Sequence, residues 1–224
     1  MRTLIIAITF TLLNSISFSQ SHTFGTFNFS AGYDAGFHGV LYNSTYNNGT
    51  FEIKQDEDTS AAVTSMFRFD GHINLLKFLS VGLNYRRGKY IEDEENTAAQ
   101  GNKVSMIALA ARLYPVNKDN FVWYLGGSFG LSNLTLNREF DIFTSTIPYQ
   151  YKFRSPQVGF ETGLNWYFAG GFGLNFGLGY TSQNLVMKEF SIDGENQDLS
   201  NYENILSSKG VHANIGLTFH LGGD

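Results

Sequence analysis

The segment L-N-F-G-L-G-Y, from Leu174 to Tyr180, shows most clearly the pattern from which the fold of this chain is predicted. Large apolar residues occupy every second position in it, and asparagine or glycine stands between them. Because successive side chains of a β-strand point to opposite faces, this alternation predicts a strand with one large apolar face and one small or polar face. The pattern recurs about eight times between Phe24 and Leu221. The sequence therefore predicts an all-β protein with a narrow, crowded interior.

The amino-acid composition is typical of a protein whose apolar surface faces something other than water. The 224 residues include 24 glycines and 16% aromatic residues, but only 16% are charged, against about 25% in an ordinary globular domain. The formal net charge of -5 argues against a nucleic-acid partner, which requires a basic surface. The chain has no cysteine, which excludes disulfides, thiolate metal sites and thiol catalysis.

The N-terminus has the layout of a secretory signal peptide. A basic start at Arg2 precedes an apolar run from Leu4 to Leu13, and Ser17-Phe18-Ser19 forms a small-x-small cleavage site. The apolar run is shorter than the roughly 20 residues that a transmembrane helix needs. We predict cleavage after Ser19, which divides the chain into a signal peptide, 1–19, and a barrel domain, 20–224.

Eight strands follow from the alternation, joined by connections of two kinds. The predicted strands are 23–33, 61–75, 79–86, 103–114, 121–136, 154–168, 172–186 and 210–221. The connections after the second, fourth and sixth strands are short, whereas those at 34–60, 88–102, 137–153 and 187–209 are long. Strict alternation of short and long connections is typical of outer-membrane barrels, whose periplasmic turns are short. The predicted fold is an eight-stranded antiparallel up-and-down transmembrane β-barrel, with a soluble periplasmic β-protein as the alternative.

Aromatic residues gather at both ends of the predicted strands, as the two interfacial girdles of a membrane barrel would. The set near the short turns is Tyr114, Phe121, Trp123, Trp166, Phe168 and Phe172, and the set near the long loops is Tyr33, Tyr85, Tyr90 and Tyr180. The general preference of aromatic residues for strands is the alternative explanation, but the signal peptide and the alternation of short and long connections favour two girdles.

From Thr23 to Leu221 the chain resembles the small eight-stranded outer-membrane barrels of Gram-negative bacteria, of the OmpA-transmembrane-domain and OmpX type. The last strand resembles the carboxy-terminal signal of that family, although Phe219 is followed by five further residues. The resemblance implies a location in the bacterial outer membrane and no cofactor. It also implies contact with outer-membrane lipids and lipopolysaccharide, and with the barrel-insertion machinery during biogenesis.

Six charged or ionisable residues fall on the predicted inward face: Arg68, Asp70, His72, Arg86, Arg112 and Glu161. An eight-stranded barrel is only wide enough to be filled by its own side chains, and buried charges must be paired. We therefore predict a structural network in which the arginines pair with Asp70 and Glu161. The alternative is a narrow ion path or solute-binding barrel that uses the same charges.

The predicted function is a non-enzymatic structural or surface-interaction role through four long external loops. A lipid A-modifying enzyme is the alternative, because His212, His220 and Glu161 face inward, although no serine stands in a recognisable motif with them. The acidic runs 56–58 and 92–95 are predicted to be solvated loop charge, or divalent-cation ligands that bridge to lipopolysaccharide phosphates. The aromatic loop from Phe140 to Phe153 either binds a partner or rests on the membrane interface.

Overall fold

The computed structural model describes residues 23–47, 49–50, 52–54, 58–92, 101–142, 145–169 and 171–222. The predicted signal peptide, residues 56 and 57 of the first acidic run and residues 93–95 of the second lie outside these ranges. Every regular element in the described ranges is a β-strand. No helix there is long and apolar enough to cross a membrane.

In the part of the chain that the structure describes, ten strands form one antiparallel sheet, and eight of them close into a ring. The strands are β1 Phe27–Asn47, β2 Glu52–Lys54, β3 Asp58–Leu76, β4 Leu79–Glu92, β5 Asn102–Lys118, β6 Phe121–Ile142, β7 Ser145–Ala169, β8 Phe172–Ile192, β9 Glu195–Asn196 and β10 Tyr202–Leu221. The ring runs β1-β3-β4-β5-β6-β7-β8-β10, and β10 pairs with β1 to close it. The short strands β2 and β9 extend the sheet at the ends of β1 and β8. The prediction of an eight-stranded antiparallel barrel is confirmed.

The hydrogen-bond register shows how the barrel closes. Followed from Ser30 through each neighbouring strand in turn, the register returns to β1 at Val40, ten residues further along. A closed barrel requires such a stagger, because its strands are tilted against the axis. The shift is an even number of residues, so every residue that begins on the inner face returns to the inner face.

The two faces of each strand have opposite chemistry, as the alternation predicts. In β8, Leu178 is 64% exposed whereas Asn175 is 2% exposed. The exposed set forms an apolar belt around the whole ring. Its large apolar members with the greatest exposure on each barrel strand are Phe37, Phe67, Leu83, Leu109, Phe129, Phe160, Leu178 and Leu221. Within the belt the apolar side chains therefore point outward, and small or polar ones face the lumen.

The strands extend well beyond the predicted boundaries on the long-loop side. Predicted loops at 34–60, 137–153 and 187–209 are largely paired strand in the structure, and β6 and β7 form a hairpin that pairs as far as Ile142 and Ser145. The prediction of long irregular loops was wrong there. Its physical reason is that inward side chains become apolar in this region, which masks the alternation. The short turns after Leu76, Lys118 and Ala169 are confirmed.

Two residues assigned to the aromatic girdles point into the barrel instead. Tyr90 and Tyr114 are each 2% exposed. Both occupy even-numbered positions in strands whose odd-numbered residues, such as Tyr85 and Leu113, face outward. The alternation along the strand, and not nearness to its end, therefore sets the face on which these two side chains lie. Most of the other girdle residues are exposed, among them Phe121, Trp123, Trp166, Phe168, Tyr33, Tyr85 and Tyr180.

Candidate functional site

A balanced network of three arginines and three carboxylates crosses the middle of the barrel. Its charged members are Asp34 on β1, Arg68 and Asp70 on β3, Arg86 on β4, Arg112 on β5 and Glu161 on β7. Each of these side chains is at most 10% exposed. Charges this deep are stable only when they are paired and hydrogen-bonded.

Glu161 is the centre of the network. Arg68 donates through Nη2 to Glu161 Oε1 at 2.8 Å, and Arg86 donates through Nη2 to Oε2 at 3.3 Å. The Tyr124 hydroxyl donates to Oε1 at 2.5 Å, and Arg112 Nη2 lies 3.6 Å from the same oxygen. One carboxylate thus compensates three guanidinium groups that come from three different strands.

Two aspartates occupy the remaining positions around the arginines. Asp70 Oδ2 accepts from Arg68 Nε at 2.7 Å and from Arg112 Nη2 at 3.0 Å. Asp34 Oδ2 lies 3.5 Å from Arg86 Nη1 and 3.0 Å from the Nδ1 atom of His212. The network therefore ties β1, β3, β4, β5, β7 and β10 together across the lumen.

Inward glycines make the space that these large side chains occupy. In the register Glu161 stands between Gly126 and Gly179, and His212 stands between Gly36 and Gly179. A Cβ atom added at Gly179 would meet the ring of His212 and the main-chain oxygen of Phe160 closer than van der Waals contact allows. Small residues are therefore required at the inward positions of the segment from Leu174 to Tyr180, because the lumen has no room there for larger ones.

The structure brings five of the six predicted site residues into this network. His72 is the exception, because it lies beside the network and contacts Ser80 Oγ at 3.4 Å. The sequence reasoning missed Asp34, His212 and Tyr124 as members. Asp34 falls in the predicted loop 34–60, although the alternation of Tyr33, Ala35 and Phe37 around it continues the strand.

Further layers of side chains fill the lumen on both sides of the network. Toward the short turns, Tyr114, Val122, Tyr124 and Tyr167 form a buried cluster. On the long-loop side the strands continue past the apolar belt as paired hairpins, the extended hairpins. A larger apolar cluster lies toward them and is formed by Val40, Ala62, Met66, Tyr90, Val104, Met106, Leu134, Leu136, Phe153, Leu185, Met187 and Leu206. The extended hairpins thus enclose a hydrophobic core of their own, as a small soluble barrel does.

A cavity of about 210 Å³ opens beside the apolar cluster at the long-loop end of the barrel, called here the outer mouth. Its lining combines aromatic rings, among them Tyr42, Tyr149 and Phe153, with the ion pair between Arg138 Nη2 and Glu92 Oε2. Both members of that pair are buried. The cavity is large enough for a small solute that presents apolar and polar groups together.

Of the histidines considered for catalysis, His212 is 5% exposed and lies against Asp34 of the network. In the described ranges, Ser208 contacts His38 and Ser80 contacts His72, both at 3.4 Å and fully buried. His220 instead makes an edge contact with the ring of Tyr167. Within the same ranges no group of three or more carboxylate or histidine side chains is arranged to hold a metal ion.

The solved structures of the outer-membrane proteins OprG and AlkL share this fold. OprG from Pseudomonas aeruginosa is 16% identical over 91% of this chain and 99% of its own, with a TM-score of 0.54. AlkL, determined in DMPC lipid bilayers, is 12% identical over 91% of this chain and 93% of its own, with a TM-score of 0.51. The outer membrane protease OmpT from Escherichia coli gives a TM-score of 0.44 at 9% identity, over 87% of this chain and 97% of its own.

Neither a protein-family model nor a curated protein matches the chain. At these identities the likeness to solved structures shows the fold alone. That fold is the one of the small outer-membrane β-barrel proteins, and the resemblance seen in the sequence is confirmed at this level.

Proposed function

We propose that this chain is a non-enzymatic protein of the bacterial outer membrane whose role is structural or interactive, through the hairpins that project beyond the membrane. The exposed apolar belt supports the location, because a soluble monomer rarely exposes so large an apolar surface. In β10 every outward residue from Val211 to Leu221 is apolar. That stretch has the length that a tilted strand needs to cross the hydrocarbon core, about 9–11 residues.

The filled lumen is the observation that carries the functional part of the proposal. The tyrosine cluster, the charge network and the apolar cluster succeed one another along the barrel axis. Ions cannot cross an apolar layer without losing hydration, which costs several kcal/mol or more. A barrel filled in this way supports projecting surfaces better than it supports conduction.

The projecting hairpins are the parts available to a partner. Lys209 ends the apolar face of β10, yet that strand continues to Tyr202 and its neighbour β1 continues to Asn47. Strands with their own apolar core hold the paired parts of these hairpins in fixed positions, which favours recognition of another molecule. We propose the same for the hairpin of β6 and β7, which replaces the predicted aromatic loop.

Planar-bilayer recording of the refolded protein tests the closed lumen. We expect no stepwise current, because the network and the apolar cluster leave no hydrated path. Repeated unitary current steps from the wild-type protein would contradict the proposal and favour the channel alternative. Insertion is verified in the same preparation by protease protection of the barrel strands, so that silence reports a closed lumen.

The enzymatic alternative is tested by the lipid A mass spectrum of cells that overproduce the protein. We expect an unchanged spectrum, because the serine–histidine contacts lie inside the lumen and away from lipid. Loss of an acyl chain or gain of a palmitoyl group would overturn the non-enzymatic assignment.

The outer-mouth cavity favours a second candidate function, the binding of a small solute. Aromatic walls beside a buried ion pair suit an amphipathic molecule. Native mass spectrometry against a panel of small aromatic acids and amines would detect it, and a Ser60→Trp variant that fills the cavity should abolish any binding found. Retention of a solute by that variant would exclude the cavity as its site.

A further inference from the structure

Three cations cluster on the outward face of β4 and β5. Arg87, Lys89 and Lys103 are all exposed, and they alternate with buried neighbours such as Arg86 and Val104. Lys89 stands directly opposite Lys103 in the register. Like charges in directly opposed positions destabilise a sheet. Among the described residues, no ion pair involves any of the three, so the cluster presents three cationic donors to an anion.

The cluster lies at the outer border of the apolar belt. The next outward residues toward the short turns are Tyr85 and Ile107, which belong to the belt. Hydroxyl groups surround the cations, because Ser105 lies opposite Arg87 and Thr135 lies opposite Lys103. This is the level of the outer-leaflet headgroups in a membrane-inserted barrel, and hydroxyl and cationic donors together suit phosphate oxygens.

An open apolar groove of about 760 Å³ lies below the cluster on the same strands. Outward Ala111 and Gly127 form its floor, and larger residues such as Leu83, Leu109 and Phe129 form its sides. A Cβ atom added at Gly127 would meet nothing within 4 Å. Along β4 the groove at Leu83 is separated from Arg87 by four residues, or about 13 Å.

We propose that this outward face of β4, β5 and β6 binds one phosphate-bearing lipid of the outer leaflet. The phosphate contacts Arg87, Lys89 and Lys103, and an acyl chain lies in the groove past Leu83 toward Gly127. The inference rests on the proposed membrane location and adds a defined lipid site to it. Charge complementarity supplies the headgroup preference, and the alignment of cluster and groove on the same strands selects a lipid over a free anion.

Native mass spectrometry of the detergent-folded barrel with bis-phosphorylated lipid A tests the site. We expect the wild-type protein to retain one lipid A molecule and to retain the enzymatically dephosphorylated form much less. The triple variant R87Q/K89Q/K103Q should weaken binding by about tenfold or more, since each cation near a headgroup contributes to the attraction. Equal retention of both lipids, or unchanged binding by that variant, would overturn the inference.

A second triple variant, R154Q/K188Q/K209Q, is the matched control. It removes the same number of exposed cations from the opposite wall, where Arg154 and Lys209 have uncharged neighbours in the register. We expect its lipid A binding to equal that of the wild type. An equal loss in both triple variants would show that net charge alone attracts the lipid and would refute a defined site.

The groove is tested separately by Gly127→Leu, with Ala35→Leu as its control on another strand. Filling the groove should weaken lipid A binding, whereas the control should leave it unchanged; equal binding by both would refute the groove. Inorganic phosphate in excess and EDTA should each leave the lipid bound. Displacement by phosphate would show a simple anion site, and loss with EDTA would show a divalent-cation bridge, and either result would overturn the inference.

Failure of this inference and failure of the membrane location give different results. A wild-type barrel that resists SDS but retains no lipid A refutes the lipid site and leaves the location intact. A chain that never forms an SDS-resistant barrel contradicts the location itself.

Discussion

At the scale of single residues, Glu161 is the position on which the lumen depends most. Its carboxylate contacts Arg68, Arg86 and Arg112 and accepts from the Tyr124 hydroxyl. The guanidinium group of Arg112 also stands over the ring of Tyr124, 4.3 Å from its centre. Loss of this one carboxylate would leave three buried cations with two aspartates.

Glu161→Gln is expected to destabilise the barrel by about 3–5 kcal/mol, the usual result of removing one partner from a buried ion pair. Urea unfolding in lipid vesicles, followed by the fluorescence of Trp123 and Trp166, measures the change. The control is Glu189→Gln, whose pair with Lys152 is about half exposed, so its loss should cost less than about 1 kcal/mol. Equal effects of the two substitutions would contradict a network that depends on its central carboxylate.

At the scale of elements, the sequence predicts the number, order and facing of the eight strands of the ring, but not their length or the short strands β2 and β9. Within the apolar belt the outward residues are apolar and the inward ones are small or polar, so the alternation is visible in the sequence. Beyond the belt the chemistry of both faces changes. Inward residues there are apolar, such as Leu134 and Leu136, and outward residues are polar, such as Asn133 and Thr135. Pairing between strands maintains the structure there, and one strand read by itself does not reveal it.

The charge network was predictable in part for the same reason. Arg68, Asp70, Arg86, Arg112 and Glu161 occupy inward positions in strands that the alternation identifies. Asp34 looks like the start of a loop, because aspartate is depleted in strands. Only its burial against Arg86 and His212 from other strands accounts for its position, and the sequence does not carry that information locally.

The extended hairpins make a direct prediction about which residues are reached from outside the cell. The chain has no cysteine, so Thr146→Cys on β7 and Asp119→Cys in the turn after β5 each introduce a single thiol. A membrane-impermeant maleimide should label the first variant on intact cells and the second only after the outer membrane is permeabilised. The reverse pattern would contradict the orientation that the long and short connections indicate.

At the scale of the whole molecule, the distribution of polarity is the inverse of that in a soluble protein. Apolar side chains such as Phe67 and Leu178 face outward, while the centre of the lumen holds six charged groups. In water this arrangement would expose a continuous apolar belt. In a bilayer the same arrangement is stable, because ring closure pairs the backbone N–H and C=O groups and the apolar belt faces lipid.

Gel mobility of the detergent-folded protein shows whether the chain forms a closed, membrane-inserted barrel. Unheated and boiled samples are run side by side in SDS. We expect the unheated protein to migrate as a compact species distinct from the boiled one, because a closed ring of paired strands resists detergent. Identical migration of the two samples, together with solubility of the folded protein without detergent, would contradict the membrane barrel.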